Sequence, residues 1–244
     1  MIEPIELLSA RHFFWLGLTA AGVGGALYSG SLPQDAPWRR PLRLALFVSV
    51  LLNESAWFAY RHFALEVPLA KNLPLHLCDM SVFILLALSL GGGRLLAELL
   101  YYAGAVGALL AVCLPAISER GAVYPVAEFR YFFTHIALVV GGFYFTFGRR
   151  FYPDLGAPAR SCAAVLLFAA AITPLNLYLG TNYFFTLSAP KQLAFLHAYP
   201  HWLFCLGAAL VFLAVFFLLH LPFVWIKNRR ARRAPDATQP TAYR

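Results

Sequence analysis

Charged residues are largely excluded from seven long stretches of this chain, and that exclusion decides most of what it can fold into. The stretches run over about 13–30, 42–63, 73–91, 95–115, 127–148, 161–179 and 201–226. A helix needs roughly 17–25 predominantly apolar residues to cross the hydrocarbon of a bilayer, and each stretch meets that length. Of the 244 residues, 61% are hydrophobic and 12% are charged, against about 45–50% and about 25% in soluble domains. A soluble globular enzyme, a disordered chain and a coiled coil do not have this pattern. The expected fold is all-α: a polytopic membrane protein of seven transmembrane helices in one domain over residues 1–227, with a basic tail over 228–244. Gly91-Gly92-Gly93-Arg94 joins the third and fourth stretches in a tight hairpin, and proline-rich or polar clusters mark the other connections. The sequence has no internal repeat.

The basic residues predict the orientation. With the C-terminus in the cytoplasm and an odd number of spans, the N-terminus lies outside. The inside then holds Arg39, Arg40, Arg43, Arg94, Arg149, Arg150, Arg160, the five basic residues of 227–233 and Arg244, thirteen in all. The outside holds six: Arg11, Arg61, Lys71, Arg120, Arg130 and Lys191. That asymmetry satisfies the positive-inside rule. A six-span arrangement, with the first stretch at the interface, keeps the other spans and moves only the N-terminus. The run from Lys227 to Arg233 directly follows an apolar helix. A cytoplasmic flank touching anionic lipid is therefore expected, and not nucleic-acid binding. The first residues are acidic where a secretory signal is basic, so the first stretch is expected to be retained. Cys78, Cys113, Cys162 and Cys205 show no CxxC and no metal spacing, and no disulfide framework is expected.

Ionisable groups within a span cost free energy, so each is a functional candidate. The second span carries Asn53 and Glu54, the third His76, Cys78 and Asp79, the fourth Glu98, and the fifth Arg130 and His135. The sixth carries Asn176, with Asn182 in the loop beyond. At about 1.5 Å per residue, Cys78 lies roughly 7 Å and His135 roughly 12 Å from the outer end of its span. Asn176 belongs to the same half, and Glu98 to the opposite face. Pro74 suits a first helical turn and Asn72 a cap. Cys78 is thus expected about one turn into its helix, where the dipole favours a thiolate. In a regular helix His76 and Cys78 face nearly opposite sides, while His76 and Asp79 can touch. His135, on another helix at a suitable depth, is the better base for Cys78.

Plainer roles stand beside these. Cys113, Cys162 and Cys205 suit packing, and Asn53 and Asn176 suit interhelical glue. Glu54 suits a pairing with an Arg or Asn, or an orienting role at the site. His12, His62, His197 and His201 lie near span ends and read as interfacial, and His220 has no evident partner. Trp38, Tyr101, Tyr183 and Trp202 read as belt residues. His76, Asp79 and His135 are conceivable metal ligands, but no ligand spacing supports a metal, and no cofactor is expected.

The string Asn72-Leu73-Pro74-Leu75-His76-Leu77-Cys78-Asp79 resembles the LPLHLC signature of YwaF-type bacterial integral membrane proteins. Gly180-Thr181-Asn182-Tyr183 resembles the GTNY segment after their sixth span, and Leu221-Pro222-Phe223 resembles their closing LPF. The likeness runs from about the second span to the seventh. These proteins are similar to the eukaryotic transmembrane protein 164 family, described as cysteine-dependent acyltransferases that place a fatty acyl chain on lyso ether phospholipids. The resemblance implies a nucleophile at Cys78, a partner at His135, a phospholipid or lysophospholipid substrate, and a bacterial inner membrane as the location. A more distant likeness is to androgen-induced-type membrane hydrolases, which use Thr and His within the bilayer. Where the family often has Lys-Pro after GTNY, this chain has Ser188-Ala189-Pro190-Lys191.

The leading expectation is an intramembrane acyltransferase or lipid hydrolase. His135 deprotonates Cys78, the thiolate takes up an acyl group as a thioester, and a lysolipid or water accepts it. His76, Asp79, Glu54, Asn53, Asn176 and Asn182 are the supporting or oxyanion-stabilising candidates. Two other readings stay open. One is a small transporter or receptor using Glu54, Asp79 and His135 as ion or proton sites. The other is a non-catalytic scaffold that tolerates substitution at Cys78 and His135.

Overall fold

Where the sequence has apolar stretches, the computed structural model has helices. It describes residues 4–117, 119 and 121–233. Arg120, Arg244 and residues 234–244 of the basic tail lie outside the described residues. Seven long helices follow in order: α1 Ala10–Ser29, α2 Arg39–Ala64, α3 Leu77–Ser89, α4 Arg94–Cys113, α5 Gly121–Gly148, α6 Ala157–Leu179 and α7 His201–Arg233. No strand occurs among the described residues. Among the described residues five helices, α2, α4, α5, α6 and α7, are long and apolar enough to cross a membrane. The chain is an integral membrane protein on that ground. The remaining two stretches form α1, with 20 residues, and α3, with 13. At about 1.5 Å per residue α3 is roughly 20 Å long, short of the roughly 30 Å of hydrocarbon. It starts at Leu77 because residues 73–75, which include Pro74, are not helical.

Local chemistry sets the helix ends. Ser9 caps α1 by accepting the His12 N–H at 3.3 Å. α6 opens with Pro158 in its first turn and stops at Gly180, whose φ of +65° turns the chain left-handed. α2 ends in a π turn over Tyr60–Ala64, α4 is interrupted by one over Leu100–Ala105, and α5 ends in one over Tyr144–Gly148.

α5 is the central helix. Phe132, Leu138, Val139 and Gly142 are buried along it, and α1, α2, α3 and α4 all pack against it. Trp15 of α1 stacks on Phe132 with ring centroids 4.8 Å apart, and its indole N–H donates to Glu128 at 3.0 Å. His12, read as interfacial from its place near a span end, is instead 1% exposed. Its Nδ1 accepts the Leu8 N–H, and its Nε2 donates to the Val112 carbonyl at 2.9 Å. The imidazole thus clamps α1 to the end of α4. Tyr101, read as a belt residue, is likewise buried, and its hydroxyl donates to the Leu219 carbonyl at 3.2 Å. His220 does have a partner, the Tyr102 hydroxyl at 2.7 Å. These contacts, with Phe216 and Phe223, are where α7 meets α4. At the Glu98 end of α4, Arg160 grips Glu98 at 2.9 and 3.0 Å and also bonds Asp154.

Candidate functional site

The site is built from the start of α3. His76 is extended (φ −78°, ψ 164°) and precedes the helix. Its N–H donates to Asp79 Oδ2 at 3.0 Å, so the carboxylate satisfies an N–H the helix cannot. Cys78 is therefore the second residue of α3, closer to the positive end of the helix than the sequence suggests. The regular helix that would set His76 and Cys78 on opposite sides does not extend to His76. His76 is not in the helix, and both side chains line one cavity.

That cavity has a volume of about 980 Å³. Cys78, His76, Asp79, Glu54, Arg130 and His135 supply polar lining, and apolar side chains such as Leu86, Val165 and Phe212 supply the rest. Cys78 is a half-buried free thiol. His135 donates through Nδ1 to the Tyr131 carbonyl at 2.6 Å, because a carbonyl can only accept. In the neutral ring this leaves the lone pair on Nε2. The Tyr131 ring packs on the imidazole with centroids 4.2 Å apart.

Glu54 is held from α5. Arg130 and Thr134 lie four residues apart on one face, and both donate to the Glu54 carboxylate. Asn53 Nδ2 donates to Thr134 Oγ1 at 3.0 Å and to Glu54 Oε1 at 3.2 Å. Asn53 lies behind the lining, in this network. Glu54 thus pairs with both an Arg and an Asn.

The loop after α6 forms the adjoining wall, and Asn176 organises it. Its Nδ2 donates to the Tyr183 carbonyl and to Thr186 Oγ1, each at 2.8 Å. Its Oδ1 accepts the Tyr183 N–H and the Thr181 hydroxyl, each at 2.8 Å. Asn176 is fully buried and does not line the cavity. Asn182 ties the loop to Ser188 and faces a smaller space of about 260 Å³ beside the main one. Phe184 and Phe185 both have positive φ, +59° and +55°. Such backbone costs about 1–3 kcal/mol per residue and marks sites that the surroundings over-determine. Here the Phe184 N–H donates to His76 Nδ1 at 3.3 Å, and the Phe185 ring lies 5.7 Å from the imidazole.

Sequence reasoning missed several participants. Tyr183 is not a belt residue but is buried. Its hydroxyl donates to the Ala70 carbonyl at 2.8 Å and accepts the Leu73 N–H at 3.0 Å. Burial pushes that hydroxyl's pKa up, keeping it a neutral donor. Thr134 carries no signal of its own in the sequence, and Arg61 was only a term in the charge count. Cys205 lines the same cavity, with His201 Nε2 at 3.4 Å from its sulfur. Among the described residues no group of three or more His, Cys, Asp or Glu is placed to hold a metal ion, so His76, Asp79 and His135 do not form one.

Residues 7–220 match a family model described as the TMEM164 family. Neither curated proteins nor solved structures give a match.

Proposed function

The chain belongs to the TMEM164 family, and from that premise we propose that it is a cysteine-dependent lipid acyltransferase acting within the membrane. One observation carries the reading. Cys78 in the first turn of α3, and His135 with its Nε2 lone pair, line a single largely apolar cavity. His135 Nε2 takes the thiol proton, and Cys78 Sγ attacks the carbonyl carbon of a phospholipid ester. The tetrahedral intermediate collapses with cleavage of the ester C–O bond. The leaving lysolipid oxygen takes the proton back from Nε2, and the acyl group stays on sulfur as a thioester. A second lysolipid hydroxyl, deprotonated by the same nitrogen, attacks the thioester and expels the thiolate, which is reprotonated. Water in that role gives hydrolysis. The oxyanion is stabilised by N–H groups at the start of α3. Asn176 and Asn182 hold the facing loop, and Glu54, Arg130, Thr134 and Asn53 brace α5 beneath His135. Seven crossings, that of α3 extended by the non-helical residues 73–76 ahead of it, with the N-terminus outside and the C-terminus in the cytoplasm of a bacterial cell, complete the proposal.

Mass spectrometry of the purified protein after incubation with mixed phospholipids tests it. A hydroxylamine-labile fatty-acyl mass is expected on the Cys78 peptide. It should disappear in Cys78→Ala and fall by about 10²–10⁴-fold in His135→Ala. An unmodified Cys78 that is also inert to thiol reagents in the folded protein overturns the covalent route. That result returns the choice to a transporter or a scaffold.

A further inference from the structure

The smaller space beside the main cavity is lined by Lys71, His76, Gly180, Thr181, Asn182 and Tyr183. Lys71, His76 and Tyr183 also line the main cavity, so the two spaces share a wall. Among the described residues no carboxylate lines the smaller space. Arg61 lines the main cavity, and its buried Nε has no hydrogen-bond partner. Neither Arg61 nor Lys71 forms an ion pair among the described residues. Of the carboxylates of the main cavity, Glu54 holds Arg130 and Asp79 accepts the His76 backbone N–H. A cation in a cavity wall without a counter-charge is costly, and it is well placed to receive an anion. His76 adds a donor, since its Nδ1 accepts the Phe184 N–H and its ring proton therefore sits on Nε2.

We propose that Arg61, Lys71 and His76 form a phosphate-binding subsite at the junction of the two spaces, and that it selects lipids bearing a phosphate over neutral glycerides. The guanidinium offers a planar fork and the ammonium a point charge, a pairing suited to a tetrahedral oxyanion. The groups are held in place. Asn72 Nδ2 donates to the Phe58 carbonyl, the Val67 N–H donates to the Arg61 carbonyl, and Tyr183 pins residues 70 and 73. The acyl chain of the same molecule runs into the apolar part of the main cavity. This inference rests on the reading of that cavity as a lipid substrate site.

Equilibrium binding to the full chain in nanodiscs tests the subsite without turnover, so it stands apart from the thioester experiment. The probes are a lysophosphatidate, a monoacylglycerol of the same chain, and inorganic phosphate. The wild type is expected to bind lysophosphatidate about tenfold or more tightly than monoacylglycerol, the scale of one charge-assisted hydrogen bond. Arg61→Gln with Lys71→Gln should erase that ratio, and Arg61→Lys should keep most of it. Equal affinities in the wild type, or a preference that survives both glutamines, overturn the proposal. Inorganic phosphate that binds as tightly as lysophosphatidate assigns the site to free phosphate and overturns the lipid assignment.

Discussion

α5 and α7 are both long and apolar, yet 67% of the most apolar part of α5 is buried inside the protein and only 6% of that of α7. α4 resembles α5, at 56%, and α6 resembles α7, at 22%. The first pair is joined by close backbone approach. A Cβ on Gly142 would lie 2.7 Å from Ala105 Cβ and 3.4 Å from the Leu100 carbonyl oxygen. Of the second pair, α7 attaches through a few aromatic and hydroxyl contacts around Tyr101, Tyr102 and Phe223, and α6 is tied to α4 by the Arg160–Glu98 ion pair. The cavity lies on the seam. Its polar wall comes from α2, α3 and α5, and much of its apolar wall comes from α6 and α7. His135 thus sits on the densely packed α5, while Glu54 belongs to α2, of whose most apolar part only 11% is buried. The loosely attached half is the part with least to lose by moving aside.

Substitutions can break this contrast. The largest effect is expected at Glu54, whose removal leaves Arg130 without its counter-charge and the Thr134 hydroxyl without its acceptor. Glu54→Ala should cost about 3 kcal/mol, the lower end of the scale for breaking a buried ion pair because this one is half-buried, read by thermal or denaturant unfolding in detergent. A loss no larger than that of a surface mutation would mean that the polar wall is not the rigid one. A smaller but sharper test compares two glycines. Gly142→Ala must push α4 and α5 apart and should destabilise by about 1–3 kcal/mol. Gly207→Ala on α7 meets nothing within 4 Å, and should stabilise by about 0.5–1 kcal/mol through helix propensity. Equal signs at the two positions would remove the distinction between the halves. The smallest effect concerns Asp154. Its carboxyl is held below the usual range by hydrogen bonds from Arg160 and the Gly156 N–H. A depressed folded pKa means the contribution is present above the ordinary carboxylate value of about 4 and is lost as pH falls through the lower folded value. Asp154→Asn should flatten the acid limb of the unfolding midpoint slightly. An unchanged limb would leave the exposed cluster no role in stability.

Much of this was legible before any coordinates. Hydropathy found the helices because burial in hydrocarbon demands length and apolarity, and Cys78, His135, Glu54 and Asp79 stood out as costly residues in such surroundings. What hydropathy does not register is where the first hydrogen-bonded turn begins. Pro74 looked like the opening of a helix, whereas the turn starts at Leu77, and that offset decides whether His76 and Cys78 share a side. Partnerships distant in sequence were equally hidden. Tyr183 is anchored 113 residues away at Ala70, and His12 bonds Val112. Near a span end, a tyrosine at the lipid interface and a tyrosine locking two loops look alike in one dimension.

The bond from His135 Nδ1 to the Tyr131 carbonyl joins two residues of one helix, a turn apart. It makes the imidazole one-sided. A proton that reaches this ring lands on Nε2, because the other nitrogen is already occupied, and it must leave from the same nitrogen. His135 therefore has no through-path for protons along α5. It is a single-berth dock, and whatever arrives there has to sail out by the channel through which it came.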